Sequence, residues 1–238
     1  MATKGFSQIK QQLVLTVPYN DETSFADFCW TGNELLQQQI LSILPEKKER
    51  LFYLWGSTGS GKSHILQAAC QAMSQVGHAV AYLPLKLLQD WDPAILEGMA
   101  DHDLVAVDDI DAIAGNVAWE EALFHLYNRL QTQQNILLVT GQVPPAVTPI
   151  RLPDLRSRLA FALVLQIHEL SDDDKIHTLQ GHAKKRGLEL PTSVGQYIIN
   201  RCARNMHDLQ AILERLDHAS LVAQRKLTIP FVKEVLEV

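Results

Sequence analysis

Short apolar runs alternate with stretches of helical periodicity along the first 170 residues of the chain. Apolar runs of this length are typical of strands that are buried on both faces of a parallel sheet. Helical spacing of apolar residues fills several intervals between them, most clearly at 119–133. The pattern predicts an α/β fold, a parallel five-stranded sheet flanked by helices. The predicted strands lie at 51–55, 79–83, 104–107, 135–142 and 162–167.

Two segments beside these strands carry weaker patterns. Residues 83–104 form an interval of about 20 residues, which has room for a single helix interrupted near Pro93. A helix is also predicted from residue 33 to about residue 44, and three aromatic residues precede it. These aromatic residues, Phe25, Phe28 and Trp30, can pack either on a nucleotide base or in the core. The core is favoured for two of the three, and Phe28 is the candidate for the nucleotide contact.

From Ser171 onward the strands stop and only helical patterns follow. Ser171 with Asp174 forms a capping-box pattern that opens a helix to about Arg186. Three more helices are predicted, so the last part of the chain is expected to be a small all-helical unit. The predicted organisation is a flexible arm at 1–23, an α/β domain at 24–169 and a helical lid at 170–238. The three later helices are predicted at 193–202, 205–224 and from 228 to the end.

The composition restricts the function only modestly. The net charge is −6, with the acidic excess before residue 171 and no basic block, which disfavours non-specific binding to duplex DNA. No apolar run approaches membrane-spanning length, and the N-terminus lacks a signal-peptide core. The cysteines have no metal-ligand spacing and indicate buried thiols in a reducing compartment. We therefore expect a cytoplasmic protein with no membrane partner.

A glycine-rich loop connects the first strand to the helix after it. Residues 56–63 read GSTGSGKS and match the phosphate-binding pattern G-x-x-x-x-G-K-[ST]. Glycines let successive backbone N–H groups turn inward around a polyphosphate, and a helix N-terminus points at the anion. The chain is therefore expected to bind a nucleotide with Mg²⁺, with the lysine on the terminal phosphates and the last serine on the metal. ADP or ATP is the expected ligand, and the motif leaves the choice of base open. The nucleotide-binding residues predicted here are Gly56, Ser57, Thr58, Gly59, Ser60, Gly61, Lys62, Ser63, His64 and Phe28.

Polar residues end two of the later strands. Asp108 and Asp109 follow the third strand, about 45 residues beyond the phosphate loop, where an acid lies beside the bound metal. Asp108 is predicted to hold Mg²⁺ through water, and Asp109 to orient the attacking water. The fourth strand ends near the γ-phosphate, so either Thr140 or Gln142 is a candidate sensor. A turn residue with satisfied hydrogen bonds is the alternative for both.

Two segments suggest contacts with other molecules. Arg156 and Arg158 precede the fifth strand, where neighbouring arginines usually cover a solvated surface, but one of them can serve a neighbouring molecule as an arginine finger. In the N-terminal arm, residues 12–17 read QLVLTV, a leading glutamine followed by aliphatic residues. Such an extended peptide can dock into another protein's pocket, and a short edge strand or disordered tail is the alternative.

Taken together, these motifs resemble the AAA+ ATPases, and within them the initiator–loader branch that contains the bacterial replication initiator DnaA. The stretch LRSRL at 155–159 is similar to the initiator's arginine-finger stretch, with Arg158 at the finger position. The stretch NMHDL at 205–209 is similar to its sensor-2 stretch. His207 stands where an arginine is expected, which implies a nucleotide contact by His207 or, from the preceding turn, by Arg204.

Three differences from the initiator point to the Hda family of DnaA-related regulators. The sequence stops after the lid, so no sequence-specific DNA-binding domain is expected. The interval at 83–104 lacks room for the second helix of initiators, and the arm is similar to the sliding-clamp motif Q-L-x-L-P-L through Gln12, Leu13 and Leu15. Thr16 and Val17 replace the Pro-Leu of that motif, which implies weaker binding to the clamp. The run AQRKLTIPFVKE at 223–234 strengthens this resemblance.

The resemblance implies a regulator rather than an efficient enzyme. Bound to the DNA polymerase III sliding clamp (beta), such a protein stimulates ATP hydrolysis by DnaA through Arg158 and so inactivates the initiator. Asp109 stands where many AAA+ enzymes have Glu, which implies weak intrinsic hydrolysis. A finger acting in trans also implies a homo-oligomer such as a dimer. The alternatives are a helicase loader acting on single-stranded DNA and a small-molecule P-loop kinase, which the helical C-terminal unit disfavours.

Overall fold

The computed structural model describes residues 23–41 and 50–237, and every statement about structure refers to them. The segment 12–17, with its predicted clamp motif, and the end of the helix predicted at 33–44 lie outside these residues. The strands are β1 (Leu51–Trp55), β2 (Val80–Pro84), β3 (Leu104–Asp108), β4 (Ile136–Gly141) and β5 (Leu163–Gln166). The α-helices are α1 (Glu34–Leu41), α2 (Lys62–Gln75), α3 (Leu85–Leu88), α4 (Val117–Gln133), α5 (Pro153–Ala160), α6 (Asp172–Lys185), α7 (Thr192–Arg201), α8 (Met206–Ala223) and α9 (Ile229–Leu236).

The five strands form one parallel sheet in the order β2-β3-β4-β1-β5. This confirms the predicted α/β architecture. In the register, Leu54 of β1 lies opposite Thr140 of β4, and Val107 of β3 lies opposite Val139. The carboxyl ends of β1, β3 and β4 therefore meet at one edge, as in other open α/β sheets that bind ligands there.

Alternate residues of β1 show why both faces of the sheet must be covered. Leu51 and Tyr53 belong to a hydrophobic cluster with α4 and α5, whereas Phe52 and Leu54 belong to a cluster with α1 and α2. Successive side chains of a strand point to opposite faces, so an uninterrupted apolar run requires a helical layer on each side. Tyr53 and Leu54 are completely buried.

The single helix predicted for 83–104 is wrong. After β2 the chain forms only the one-turn helix α3 and then two 3₁₀ turns, at Pro93–Leu96 and Met99–Asp101. Asp92 accepts a hydrogen bond from the Ala94 amide at 2.9 Å, and Pro93 follows it at the start of the first turn. Gly98 has a φ of +83°, which breaks any helix before the second turn. Buried leucines in α3 and in the first 3₁₀ turn pack into the core cluster and hold this segment in place without a continuous helix.

The last four helices, α6 to α9, pack around a third hydrophobic cluster of their own. The predicted cap at the start of α6 is confirmed, because the Ser171 hydroxyl accepts a hydrogen bond from the Asp174 amide at 3.1 Å. Leu209, Leu216 and Val232 are completely buried in this cluster. Among the helices of the described residues, none combines the length and the apolar character that crossing a membrane requires.

Candidate functional site

The glycine-rich loop lies between β1 and α2 and needs glycine at two of its positions. Gly59 and Gly61 have φ values of +81° and +97°, in the left-handed region that side chains disfavour. A Cβ on Gly61 would lie 2.5 Å from the Phe28 ring, and one on Gly59 would lie 2.6 Å from the Cβ of Asn205. The loop is therefore held between an aromatic side chain upstream and the start of α8 in the lid.

The N-terminus of α2 faces the loop without a side-chain cap. Gly61 is the N-cap residue and has no side chain to accept a bond from the first amides. The buried Lys62 ammonium donates hydrogen bonds to the carbonyls of Gly56 and Ser57, both at 2.8 Å. Burial lowers the pKa of Lys62, and the nearby carboxylates of Asp109 and other aspartates oppose that shift. Uncapped amides and a converging ammonium group together favour an anion.

A cleft of about 1480 Å³ opens in front of this loop and extends to the lid. It is larger than most small-molecule sites, so it accommodates a nucleoside triphosphate. Of the predicted residues, the structure places Gly56, Ser57, Asp108 and Arg158 outside its wall. The predicted residues that border the cleft are Phe28, Thr58, Gly59, Ser60, Gly61, Lys62, Ser63, His64, Asp109, Gln142, Arg204 and His207.

The two acids at the end of β3 have different surroundings. Asp108 is only 3% exposed, and Thr140 Oγ1 and Tyr82 Oη donate to its two oxygens at 2.5 and 2.7 Å. Asp109 has a φ of +56°, and its amide donates to Thr140 Oγ1 at 2.9 Å. Burial and the neighbouring Asp108 raise the pKa of Asp109, while Lys62 opposes the rise. Only the second acid therefore borders the cleft.

The donors around the cleft fit a magnesium ion that is held mainly by phosphate and water. Ser63, Asp109 and Asp111 present oxygen atoms at the cleft. Each oxygen of Asp108 accepts one hydroxyl bond and keeps a further lone pair for a metal-bound water. Within 23–41 and 50–237 no three His, Cys, Asp or Glu side chains are arranged to hold a metal ion. Mg²⁺ usually takes one or two carboxylates plus substrate phosphates, so this sparse set is suitable.

Tyr82 is a site residue that the sequence reasoning missed. Its hydroxyl accepts a hydrogen bond from Gln67 Nε2 at 3.3 Å and donates to Asp108. Burial and Asp108 raise the pKa of Tyr82, which keeps the phenol neutral and able to donate. Periodicity does not reveal this role, because it depends on the pairing register, in which Asp108 lies opposite Pro84, two residues beyond Tyr82 on the neighbouring strand.

Substituting Tyr82→Phe tests whether this hydroxyl supports the buried acid. The change leaves one oxygen of Asp108 without its donor, so we expect the free energy of unfolding to fall by about 1–3 kcal/mol. Urea unfolding measures it. The matched control is Tyr197→Phe, at a partly buried tyrosine of the lid. It should change the free energy of unfolding by less than about 0.5 kcal/mol. Equal losses in the two variants would contradict the assignment.

The three aromatic residues before α1, Phe25, Phe28 and Trp30, are partly buried and pack against the face of the sheet that α1 and α2 cover. The Phe28 ring lies 4.6 Å from the Trp30 ring and 5.6 Å from the His64 ring, measured between centroids. His64 Nε2 is 3.0 Å from the Ser24 carbonyl oxygen, and burial lowers the pKa of His64. Phe28 is thus both a core-edge residue and part of the cleft wall.

The candidate sensors occupy different depths. Thr140 is completely buried and is hydrogen-bonded to Asp108 and Asp109. Gln142 is exposed, and its backbone N–H donates a hydrogen bond to the Asp111 carboxylate at 2.7 Å. In the lid, His207 and Arg204 are both exposed and border the cleft on either side of Asn205, the N-cap of α8. The structure brings all of these except Thr140 to the cleft surface.

The lid and the segment that leads into it contact the α/β domain beside the phosphate loop. Ser57 donates a hydrogen bond to Glu169, just before the lid helices, and Lys185 of α6 forms an ion pair with Asp27. Asn205 lies against Gly59 on the other side. Residues of both structural units therefore line the cleft.

Arg158 lies on α5, a helix that the sequence reasoning did not predict. The residue is in the last turn, exposed, with its guanidinium 5.7 Å from the centroid of the Tyr127 ring. It does not border the chain's own cleft. Arg156 is exposed on the same helix. Both arginines therefore point to a surface that is separate from the phosphate loop.

Glu120 fixes the start of α5 and was also missed. It is completely buried in α4, and its carboxylate accepts the amides of Arg151 at 2.9 Å, Leu152 at 2.7 Å and Gly115 at 2.6 Å. An ionised carboxylate is a strong acceptor for several amides at once. The glutamate therefore joins α4 to the loop that leads into α5.

Comparisons with known proteins agree with this architecture. Residues 20–166 match the family model described as bacterial DnaA ATPase domain, and residues 172–236 match the model described as Hda, lid domain. These two models together account for most of the chain. The predicted resemblance to DnaA-related AAA+ proteins is confirmed.

Solved structures give the same fold at low sequence identity. Domain III of Thermotoga maritima DnaA superposes with a TM-score of 0.80 at 19% identity, covering 92% of this chain and 98% of that one. AMPPCP-bound DnaA from Aquifex aeolicus gives 0.67 at 22%, with coverage of 82% and 65%. The Thermotoga maritima RuvB branch-migration motor gives 0.68 at 16%, with coverage of 90% and 71%. On the strength of the model match across residues 20–166, the chain belongs to the bacterial DnaA ATPase-domain family of AAA+ proteins.

Proposed function

We propose that this chain is a regulator of replication initiation that stimulates ATP hydrolysis by a DnaA initiator and so inactivates it. The observation that carries the proposal is the position of Arg158. It is exposed on α5 and lies outside the chain's own cleft, so it is available to the nucleotide of a second molecule. An arginine supplied in trans stabilises the charge that develops on a transferring phosphoryl group. The match of residues 172–236 to the Hda lid supports the same reading.

The chain's own cleft is proposed to bind ADP or ATP. Lys62 and the amides of the phosphate loop would hold the phosphates, Phe28 the base, and His207 or Arg204 the phosphates from the lid side. Ser63, with Asp108 through water, would hold Mg²⁺, which neutralises phosphate charge when bound. The AMPPCP in the Aquifex aeolicus relative supports an adenine nucleotide.

Intrinsic hydrolysis is proposed to be weak. Asp109 is the acid at the cleft, and its left-handed backbone conformation ties its position to Thr140. Its side chain is one methylene shorter than the Glu of many AAA+ enzymes, and small misplacements of a water-orienting group cost much of its effect. The nucleotide then serves mainly to hold the lid and the α/β domain together, because residues of both line the cleft.

The N-terminal arm is proposed to dock on the sliding clamp. Gln12, Leu13 and Leu15 carry the motif and lie outside the described residues, close in sequence to Thr23, which is buried at the edge of the cleft.

Self-association between copies of this chain is proposed as well. One face bears the nucleotide and a separate face bears Arg158, an arrangement that permits head-to-tail contact between copies.

A reconstituted assay tests the function. ATP-bound initiator is mixed with this protein and with clamp loaded on DNA, and released phosphate is measured. We expect the wild type to stimulate phosphate release by the initiator. The Leu13→Ala/Leu15→Ala variant should lose this stimulation and should also fail to recover the clamp in a pull-down. Val14→Ala, between the two leucines, is the matched control and should behave as the wild type.

Two outcomes would overturn the proposal. Equal clamp recovery and equal stimulation by the double variant and the wild type would remove the role of the arm. Tight binding of single-stranded DNA at moderate salt, with no stimulation of the initiator, would instead favour a helicase loader.

A further inference from the structure

One side chain next to Arg158 has an unusual environment. Phe161 is 82% exposed, more than any other large hydrophobic residue that the structure describes. It follows the last residue of α5 directly, and the chain enters β5 two residues later. Single exposed hydrophobic residues are common on soluble proteins. Phe161 differs from such residues in its position beside Arg158 and in the way its backbone is fixed.

The position of Phe161 is fixed by the backbone on both sides. Its amide donates to the carbonyls of Arg158 at 3.1 Å and Ser157 at 3.2 Å, which closes the last turn of α5. On the other side, β5 pairs with β1, with Leu163 opposite Phe52. Because the backbone is already fixed, only the two side-chain torsions of the ring become ordered when a partner covers it.

Helix α5 presents opposite properties on its two faces. Leu155 and Leu159 are 2% exposed and belong to the core cluster beneath the helix. Arg158 and Phe161 are both exposed and are three residues apart, which makes them neighbours on a helix surface. In the described part of the chain, Arg156 and Arg158 have no ion pair with a carboxylate. The outer face thus combines an apolar ring with cations that are free to meet an anion.

We propose that Phe161 is the anchor that seats Arg158 on the nucleotide-bearing face of the initiator. This inference rests on the proposed function and adds the surface by which the finger's partner is held. The chemistry of the face selects the partner, because unpaired arginines beside an apolar ring complement a polyphosphate beside an apolar pocket. An exposed charge pair alone contributes little affinity, whereas buried aromatic residues are typical hot spots.

Arg158 and Phe161 have separate roles in this proposal. Arg158 touches the reacting phosphate and determines the maximal rate, whereas Phe161 touches only protein and determines how much regulator is needed. Phosphate release by the ATP-bound initiator is therefore measured while this protein is titrated in the presence of clamp. We expect Phe161→Ala to raise the half-saturating concentration by about 10- to 100-fold, with the maximal rate within about twofold of the wild type.

Matched variants make the test specific. Val222→Ala removes another highly exposed apolar side chain, which is 74% exposed on α8 of the lid. It should leave the half-saturating concentration unchanged. Phe161→Leu keeps apolar area and should recover most of the affinity. Nucleotide binding and thermal unfolding of Phe161→Ala should match the wild type, because the side chain makes little contact within the chain.

Several results would overturn the inference. An unchanged half-saturating concentration for Phe161→Ala, alongside normal stimulation by the wild type, removes the anchor role but leaves the proposed function standing. A drop in maximal rate like that of an Arg158 variant would mean that the ring only positions the finger. Loss of self-association with an unchanged titration would assign the ring to a second copy of this chain. Absence of stimulation by the wild type would remove both proposals together.

Discussion

Replacing Arg158 with alanine is expected to lower initiator hydrolysis at saturating regulator by about 10³- to 10⁵-fold, to the unstimulated rate. The reason is electrostatic, since the guanidinium offers forked donors and a fixed charge to the phosphoryl oxygens as negative charge spreads over them. Single-turnover release of phosphate from ATP-bound initiator measures the effect. Clamp recovery and nucleotide binding by the variant should equal those of the wild type, because Arg158 is exposed and outside the cleft.

The same helix provides the control. Arg156 is exposed on α5, and its replacement by alanine removes an equal charge two residues away. We expect a small, salt-sensitive loss of affinity and an unchanged maximal rate. Arg158→Lys keeps a charge but loses the fork, so it should restore only part of the rate. Equal effects of the two alanine variants would mean that general positive charge is responsible, and the finger assignment would be wrong.

The sheet was predictable because its signal is local. Each strand is an apolar run buried on both faces, so composition within a few residues was sufficient. The interval at 83–104 failed for the opposite reason. The helix was inferred from the length of the interval, with an interruption expected near Pro93, but the backbone forms only one short helix and two turns, and Gly98 adds a second break. Helix α5 was missed because eight residues with only two buried leucines give too little periodicity.

The site shows the same division between local and distant information. The phosphate loop and the two acids lie in contiguous motifs, and the structure places most of the predicted residues at one cleft. Tyr82 and Glu120 have partners 26 to 32 residues away. A tyrosine in a strand and a glutamate beside Glu121 in an amphipathic helix give no sign of such partners. Their importance follows from the three-dimensional pairing, which periodicity does not specify.

Replacing Glu120 with alanine is expected to give the largest loss of stability among single substitutions near the site. Three partly buried amides, of Gly115, Arg151 and Leu152, lose their acceptor, and a completely buried side chain is truncated, so the free energy of unfolding should fall by about 3–5 kcal/mol. Denaturant unfolding at constant m-value measures it. Glu120→Gln keeps one acceptor oxygen and should lose an intermediate amount.

The neighbouring Glu121 is the matched control, since it is exposed on the same helix and its replacement by alanine should cost less than about 0.5 kcal/mol. Where the Glu120 variants remain folded, the start of α5 is no longer fixed, so stimulation of the initiator should fall although Arg158 is still present. If glutamine restores stability but not stimulation, positioning of α5 requires both oxygens of a carboxylate. Equal stability of the two alanine variants would instead mean that water or another group satisfies the three amides, and the position of α5 would not depend on this buried carboxylate.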